Sequence, residues 1–133
     1  MAYAQFSLDD LQEKFQLVLH EDVRLFTTVA PRDVPASLTD LLDYNVPLAQ
    51  AIDTEKARSE FIIAPILSEL HRQLKRTISL FSGVEFNVDA QQGLGGVCDF
   101  IISRSPIQMS VRAPVMVLVE AKNGRIMPGI PQC

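Results

Sequence analysis

Cysteine is scarce. Cys98 and Cys133 are the only two, and they make neither a disulfide framework nor a metal-ligand spacing. No stretch approaches the run of roughly 20 apolar residues that a membrane-spanning helix needs. The start, Met1-Ala2-Tyr3-Ala4-Gln5-Phe6, lacks the basic residues and apolar centre of a signal peptide. These absences set the expectation of a cytoplasmic, reducing location with no membrane partner. Positive charge is also in short supply: 12 Lys and Arg stand against 16 Asp and Glu, a net charge of −4. That excludes a binder working by bulk positive charge, and leaves room for a local basic groove. There is no internal repeat and no low-complexity tract.

What is present suits one domain with a real core. The chain has 133 residues, 47% of them hydrophobic and 21% charged, which argues against disorder. Residues 1–50 read as an N-terminal helical extension and residues 51–133 as the core. Ser7 can cap a first helix, with Asp9 and Asp10 in its favourable first turn and Leu8, Leu11, Phe15 and Leu19 on one face. The stretch Val23–Val29 reads as a short strand or an extended segment. Ser37 can cap a short helix that Asn45 and Pro47 end, with a further turn over Leu48–Ile52. The longest helical period runs from about Asp53 to Ile78, capped by Asp53 or Thr54. Pro65 sits inside it and should bend the helix near Phe61, or divide it in two.

From Ser79 onward the period changes to two. Val84–Val88 reads as a strand, Asp89–Gly96 as a glycine-rich turn and Val97–Ser103 as a second strand. The run Val115–Lys122 is a third strand, apolar enough for the centre of a sheet. The fold class is therefore α/β or α+β: a long helix against a three-strand antiparallel meander. A central strand needs neighbours on both edges, so the sequence raises the expectation that further elements normally follow Cys133. Their absence would leave the third strand poorly covered and favour a homo-oligomer.

The third strand ends in Glu120-Ala121-Lys122. Residues i and i+2 of a strand share a face, so Glu120 and Lys122 stand side by side. Of the four lysines, only Lys122 has an acid two residues earlier. The preceding strand carries Asp99 among apolar residues, where a carboxylate is costly unless paired or bound to a cation. If the two strands are antiparallel neighbours, Asp99 comes opposite Glu120–Lys122. Asp99, Glu120 and the Ala121 carbonyl could then hold Mg²⁺, with Lys122 orienting water or offsetting charge during phosphodiester hydrolysis. The plainer reading is a solvated Glu–Lys pair at a strand end.

The ordered motifs resemble the PD-(D/E)xK nuclease superfamily. Glu55-Lys56-Ala57-Arg58-Ser59-Glu60-Phe61, Ile78–Gly83, Gly96-Val97-Cys98-Asp99-Phe100 and Val119-Glu120-Ala121-Lys122-Asn123 are similar to small, mainly cyanobacterial proteins of restriction-endonuclease type. The resemblance covers most of the chain. It implies a restriction-endonuclease-like core and a Mg-dependent nuclease acting on DNA. It makes Asp99 and Glu120 metal ligands, Lys122 the catalytic lysine, and Glu60 the helix acid that reaches the metal. Relatives continue beyond a segment like Gly129–Cys133, whereas here Pro131 stands where a glycine is expected. The resemblance thus implies a core whose C-terminal helix and strands are missing. The competing readings are a nuclease-fold remnant that binds nucleic acid or protein without cutting, and a structural α+β domain whose Glu120–Lys122 pair is incidental.

The other polar residues carry less. Arg72, Lys75 and Arg76 share a helix face and read as a solvated surface more readily than as phosphate contacts. Arg104 and Arg112 bracket a loop near the site. His20 and His71 lack any zinc spacing, Cys98 faces away from Asp99 into the core, and Gly93–Gly96 lacks the Lys-Ser/Thr of a P-loop.

Overall fold

Ser7 does cap the first helix. In the computed structural model, which describes residues 6–124, the Ser7 hydroxyl accepts from the Asp10 N–H and the Asp10 carboxylate accepts from Ser7 in return. Helix α1 spans Leu8–Phe15 and stops at Gln16, which turns left-handed, so the apolar period ends before Leu19, and Leu19 is exposed. Residues 17–34 contain no strand. Val23–Val29 forms turns and irregular backbone, with Val23, Leu25, Phe26 and Val29 exposed.

Helix α2 runs Ala36–Ile52, from Pro35 rather than Ser37. Pro47 lies within it, contrary to the expectation that Asn45 and Pro47 would end it. Tertiary packing outweighs one lost backbone bond here: Asn45 and Ala49, one turn apart, are both buried against the next helical segment. The helix ends at Asp53, whose left-handed conformation sends its N–H to the Ala49 carbonyl. Thr54, not Asp53, caps the next helix, its hydroxyl accepting from the Ala57 N–H at 3.0 Å.

The long helix is continuous from Glu55 to Leu74 but changes pitch. Helix α3 (Glu55–Arg58) passes into a π-helical turn (Ser59–Ile63) and then helix α4 (Ala64–Leu74). Pro65 explains this. Its ring collides with the carbonyl four residues back, that of Phe61, and it has no N–H to offer that carbonyl. Widening the turn relieves the collision, and the Ala64 N–H reaches back to the Ser59 carbonyl. The Phe61 carbonyl is then satisfied from outside the helix: buried Asn45 of α2 donates to it at 2.9 Å. The bend expected near Phe61 is thus a widened turn clasped by a neighbour.

Strand β1 spans Ser79–Asp89, β2 Leu94–Ser103 and β3 Val115–Val119, all antiparallel in the order β1-β2-β3. The fold of the described residues is mixed α+β. Only Ala90–Gln92 and Gly93 separate β1 from β2, so Gly95 and Gly96 belong to a strand rather than to the turn expected there. The central strand is β2, where Cys98, Phe100, Ile101, Ile102 and Ser103 are buried. The apolar run of β3 suggested the centre, but among the described residues β3 lies at the edge, with Met116 and Val117 exposed. It is also shorter than expected, ending at Val119 before Glu120-Ala121-Lys122. The expectation built on Gly129–Cys133 and Pro131 falls outside the described residues. Among them, no helix is long and apolar enough to cross a membrane.

The Asn45–Phe61 bond gives a direct test. Asn45→Leu should destabilise the protein by about 1–3 kcal/mol in urea unfolding, because a part-buried carbonyl loses its donor. In a Pro65→Ala background residue 65 regains an N–H for that carbonyl, and the cost of Asn45→Leu should shrink. Equal costs in both backgrounds would show that Asn45 acts by packing alone.

Candidate functional site

The sheet register builds the site. Between β1 and β2, Ser82 pairs with Phe100 and Val84 with Cys98, so Gly83 and Asp99 share the position between them. Between β2 and β3, Ile101 pairs with Leu118 and Phe100 with Val119. Carried one residue further, that register sets Asp99 opposite Glu120. Cross-strand partners share a face, so Gly83, Asp99 and Glu120 form one row across the sheet.

Hydrogen bonds lock the row although β3 has formally ended. The Ala121 N–H donates to Asp99 Oδ2 at 2.7 Å, and the Asp99 N–H points at Glu120 Oε2 from 3.5 Å. Each carboxylate is therefore anchored to the other strand's backbone. Ala121 is almost fully buried behind them. Lys122 Nζ lies 3.7 Å from Glu120 Oε1 and 3.7 Å from Glu55 Oε2, and the Lys122 side chain is only 20% exposed. Glu120 thus stands beside both Asp99 and Lys122.

Over this row lies a cleft of about 490 Å³. Its sheet wall is Ser82, Gly83, Asp99, Phe100 and Glu120, and its helical wall is Glu55, Lys56, Ser59, Glu60 and Ala64. Gly83 has φ +63°, a left-handed conformation in mid-strand that a side chain rarely adopts. A Cβ there would meet nothing within 4 Å, so the space beside Asp99 is open. A glycine at such a point lets a ligand approach the main chain. The sequence pattern hides Gly83, because Val84–Val88 alternates clearly and the residues before it do not.

The helix acids sort differently from the expectation. Glu60 lines the cleft, in the π-helical turn, but its carboxylate pairs with Lys56 at 3.0 Å. Glu55 is the helix acid beside Lys122. From sequence, Glu55 looks like an ordinary acid in a helix's first turn, and that reading hides its second contact. Asn123 ties the same regions together, its side-chain amide donating to the Asp53 carbonyl at 3.2 Å. Among the described residues, no three His, Cys, Asp or Glu side chains gather into a ready-made metal cluster. The donor set is two carboxylates, which suits a small hard cation that keeps most of its waters. Arg72 is held by a bidentate pair with Glu69 on a different surface.

Burial raises the Glu120 pKa above its ordinary value, and the Asp99 charge raises it further, against the opposing pull of the Asp99 N–H and Lys122. A carboxyl whose pKa is raised in the folded state costs stability once both states are ionised. The cost disappears below the unfolded-state pKa. Without added metal, Glu120→Gln should therefore stabilise the protein near pH 7, by at most about 1 kcal/mol given the partial exposure, and raise its unfolding midpoint. The gain should fade as the pH drops below about 4. Thermal unfolding across pH checks this, and a Gln variant that is less stable at pH 7 would contradict the cause assigned here. The geometry stands without a relative to compare: the chain matches no protein-family model, no curated protein and no solved structure.

Proposed function

We propose that this chain is the core of a Mg²⁺-dependent phosphodiester hydrolase, a nuclease of PD-(D/E)xK type acting on DNA in the cytoplasm. The observation that carries the reading is the locked row of Asp99 and Glu120 lining an open cleft, with the Lys122 ammonium 3.7 Å from Glu120. Two crowded carboxylates, one with a raised pKa, form a site short of positive charge. A restriction-endonuclease-like core places its acids in this manner, on a sheet end beneath a helix.

In this reading Asp99, Glu120 and the Ala121 carbonyl would hold the cation. Bound there, Mg²⁺ would polarise a phosphoryl oxygen and acidify a water. The chain's own groups do the rest. Asp99 is oriented by the Ala121 N–H, so its second oxygen is presented in a fixed direction. Lys122 has three donors and no acceptor, so it orients the attacking water or offsets charge on the phosphoryl group. Gly83 leaves room for a sugar–phosphate backbone beside Asp99.

Two variants test the assignment by calorimetric Mg²⁺ titration beside a plasmid-nicking assay. Lys122→Ala should abolish nicking, by about 100-fold or more, and leave Mg²⁺ affinity largely intact. Asp99→Ala should remove both. Full nicking by Lys122→Ala would sink the lysine's role, and unchanged Mg²⁺ affinity in Asp99→Ala would sink the site. A wild-type protein that binds Mg²⁺ and DNA without cutting would instead mark a non-cleaving nucleic-acid-binding module.

A further inference from the structure

Lys122 stands between two carboxylates at the same distance, 3.7 Å from Glu120 and 3.7 Å from Glu55. Only Glu120 belongs to the row with Asp99. We infer that Glu55 is the positioning residue of Lys122: it holds the ammonium on the helical side, so that Glu120 remains available to a divalent cation. The inference rests on the nuclease reading above and names a residue which that reading leaves idle.

Two tethers build the contact independently of charge. Thr54 caps the turn that carries Glu55, through the Ala57 N–H at 3.0 Å. Asn123, next to Lys122, donates to the Asp53 carbonyl at 3.2 Å and so clamps the strand's end onto that same turn. The Lys122 stem is largely buried while Glu55 is half-exposed, so Glu55 meets the ammonium at the rim of the cleft. Glu60 cannot share this work, because its carboxylate is 3.0 Å from Lys56.

Charge balance sets the consequence. A cation at Asp99 and Glu120 draws on the Glu120 charge that Lys122 otherwise shares. With Glu55 present, the ammonium keeps a partner as that happens. Without it, the ammonium has Glu120 alone, and it competes with the cation for one carboxylate.

The test is a double-mutant cycle on the intact chain, read by Mg²⁺ calorimetry and by ¹³C relaxation of the Lys122 Cε. Glu55→Gln should weaken Mg²⁺ binding by about tenfold, the lower end of what outer partners of metal ligands contribute. In a Lys122→Met background the same change should have no effect, because no ammonium is left to compete. Without metal, Glu55→Gln should raise the mobility of the Lys122 Cε while thermal unfolding confirms a folded protein. Equal weakening in both backgrounds would make Glu55 a donor to the cation itself and overturn the inference. So would unchanged Mg²⁺ affinity, or unchanged Lys122 mobility, in Glu55→Gln. A wild-type protein that binds no Mg²⁺ overturns the nuclease reading and this role with it. Failure of this role alone shows as normal wild-type binding with no Lys122-dependent loss.

Discussion

In the β2–β3 ladder Ile101 meets Leu118 and Phe100 meets Val119, and this pairing alone sets Asp99 against Glu120. A slip of one residue would turn every side chain of β3 to the other face. Glu120 would then leave the cleft, and the Ala121 N–H could no longer reach Asp99. The apolar side chains of β2 hold the register: Phe100, Ile101 and Ile102 are all buried, so a slip would disturb their packing as well. The core and the site therefore depend on one ladder. The Ala121–Asp99 bond extends the ladder's effect past the last formal residue of β3.

The charges beneath the helix do not balance. Glu120 and Glu55 each lie 3.7 Å from one ammonium, that of Lys122, and Asp99 adds a third carboxylate beside Glu120. Lys56 pairs with Glu60 one turn along the same helical wall. A half-buried arrangement of this sign attracts cations and repels anions.

Local chemistry was legible in the sequence wherever it was decided locally. The Ser7 and Thr54 caps, the change of period at Ser79 and the E-x-K triplet depend on neighbours within a few residues. Features that depended on distant partners were not legible. Pro47 stays inside α2 because Asn45 and Ala49 are buried against the next helix, which no window around Pro47 reveals. The apolar run of β3 looked central because hydrophobicity does not record which strand has two neighbours. That Asp99 and Glu120 would lie opposite each other was legible because strand alternation predicts faces. The contact of Glu55 with Lys122 was not, because it turns on helix phase, and the π-helical turn alters that phase.

That turn joins two halves of one rod with different duties. Upstream, Glu55 reaches Lys122; downstream, α4 lies along β1. In a regular helix each residue advances the phase by about 100°. Winding the same residues between Ser59 and Ile63 into a regular α-helix would leave the apolar stripe of α4 unaltered in sequence. Against that fixed stripe, it would swing Glu55 and Lys56 by up to about one such step around the axis. The widened turn acts as a phase adjuster, matching the face that lines the cleft to a packing face that the α-helical repeat alone would leave out of step.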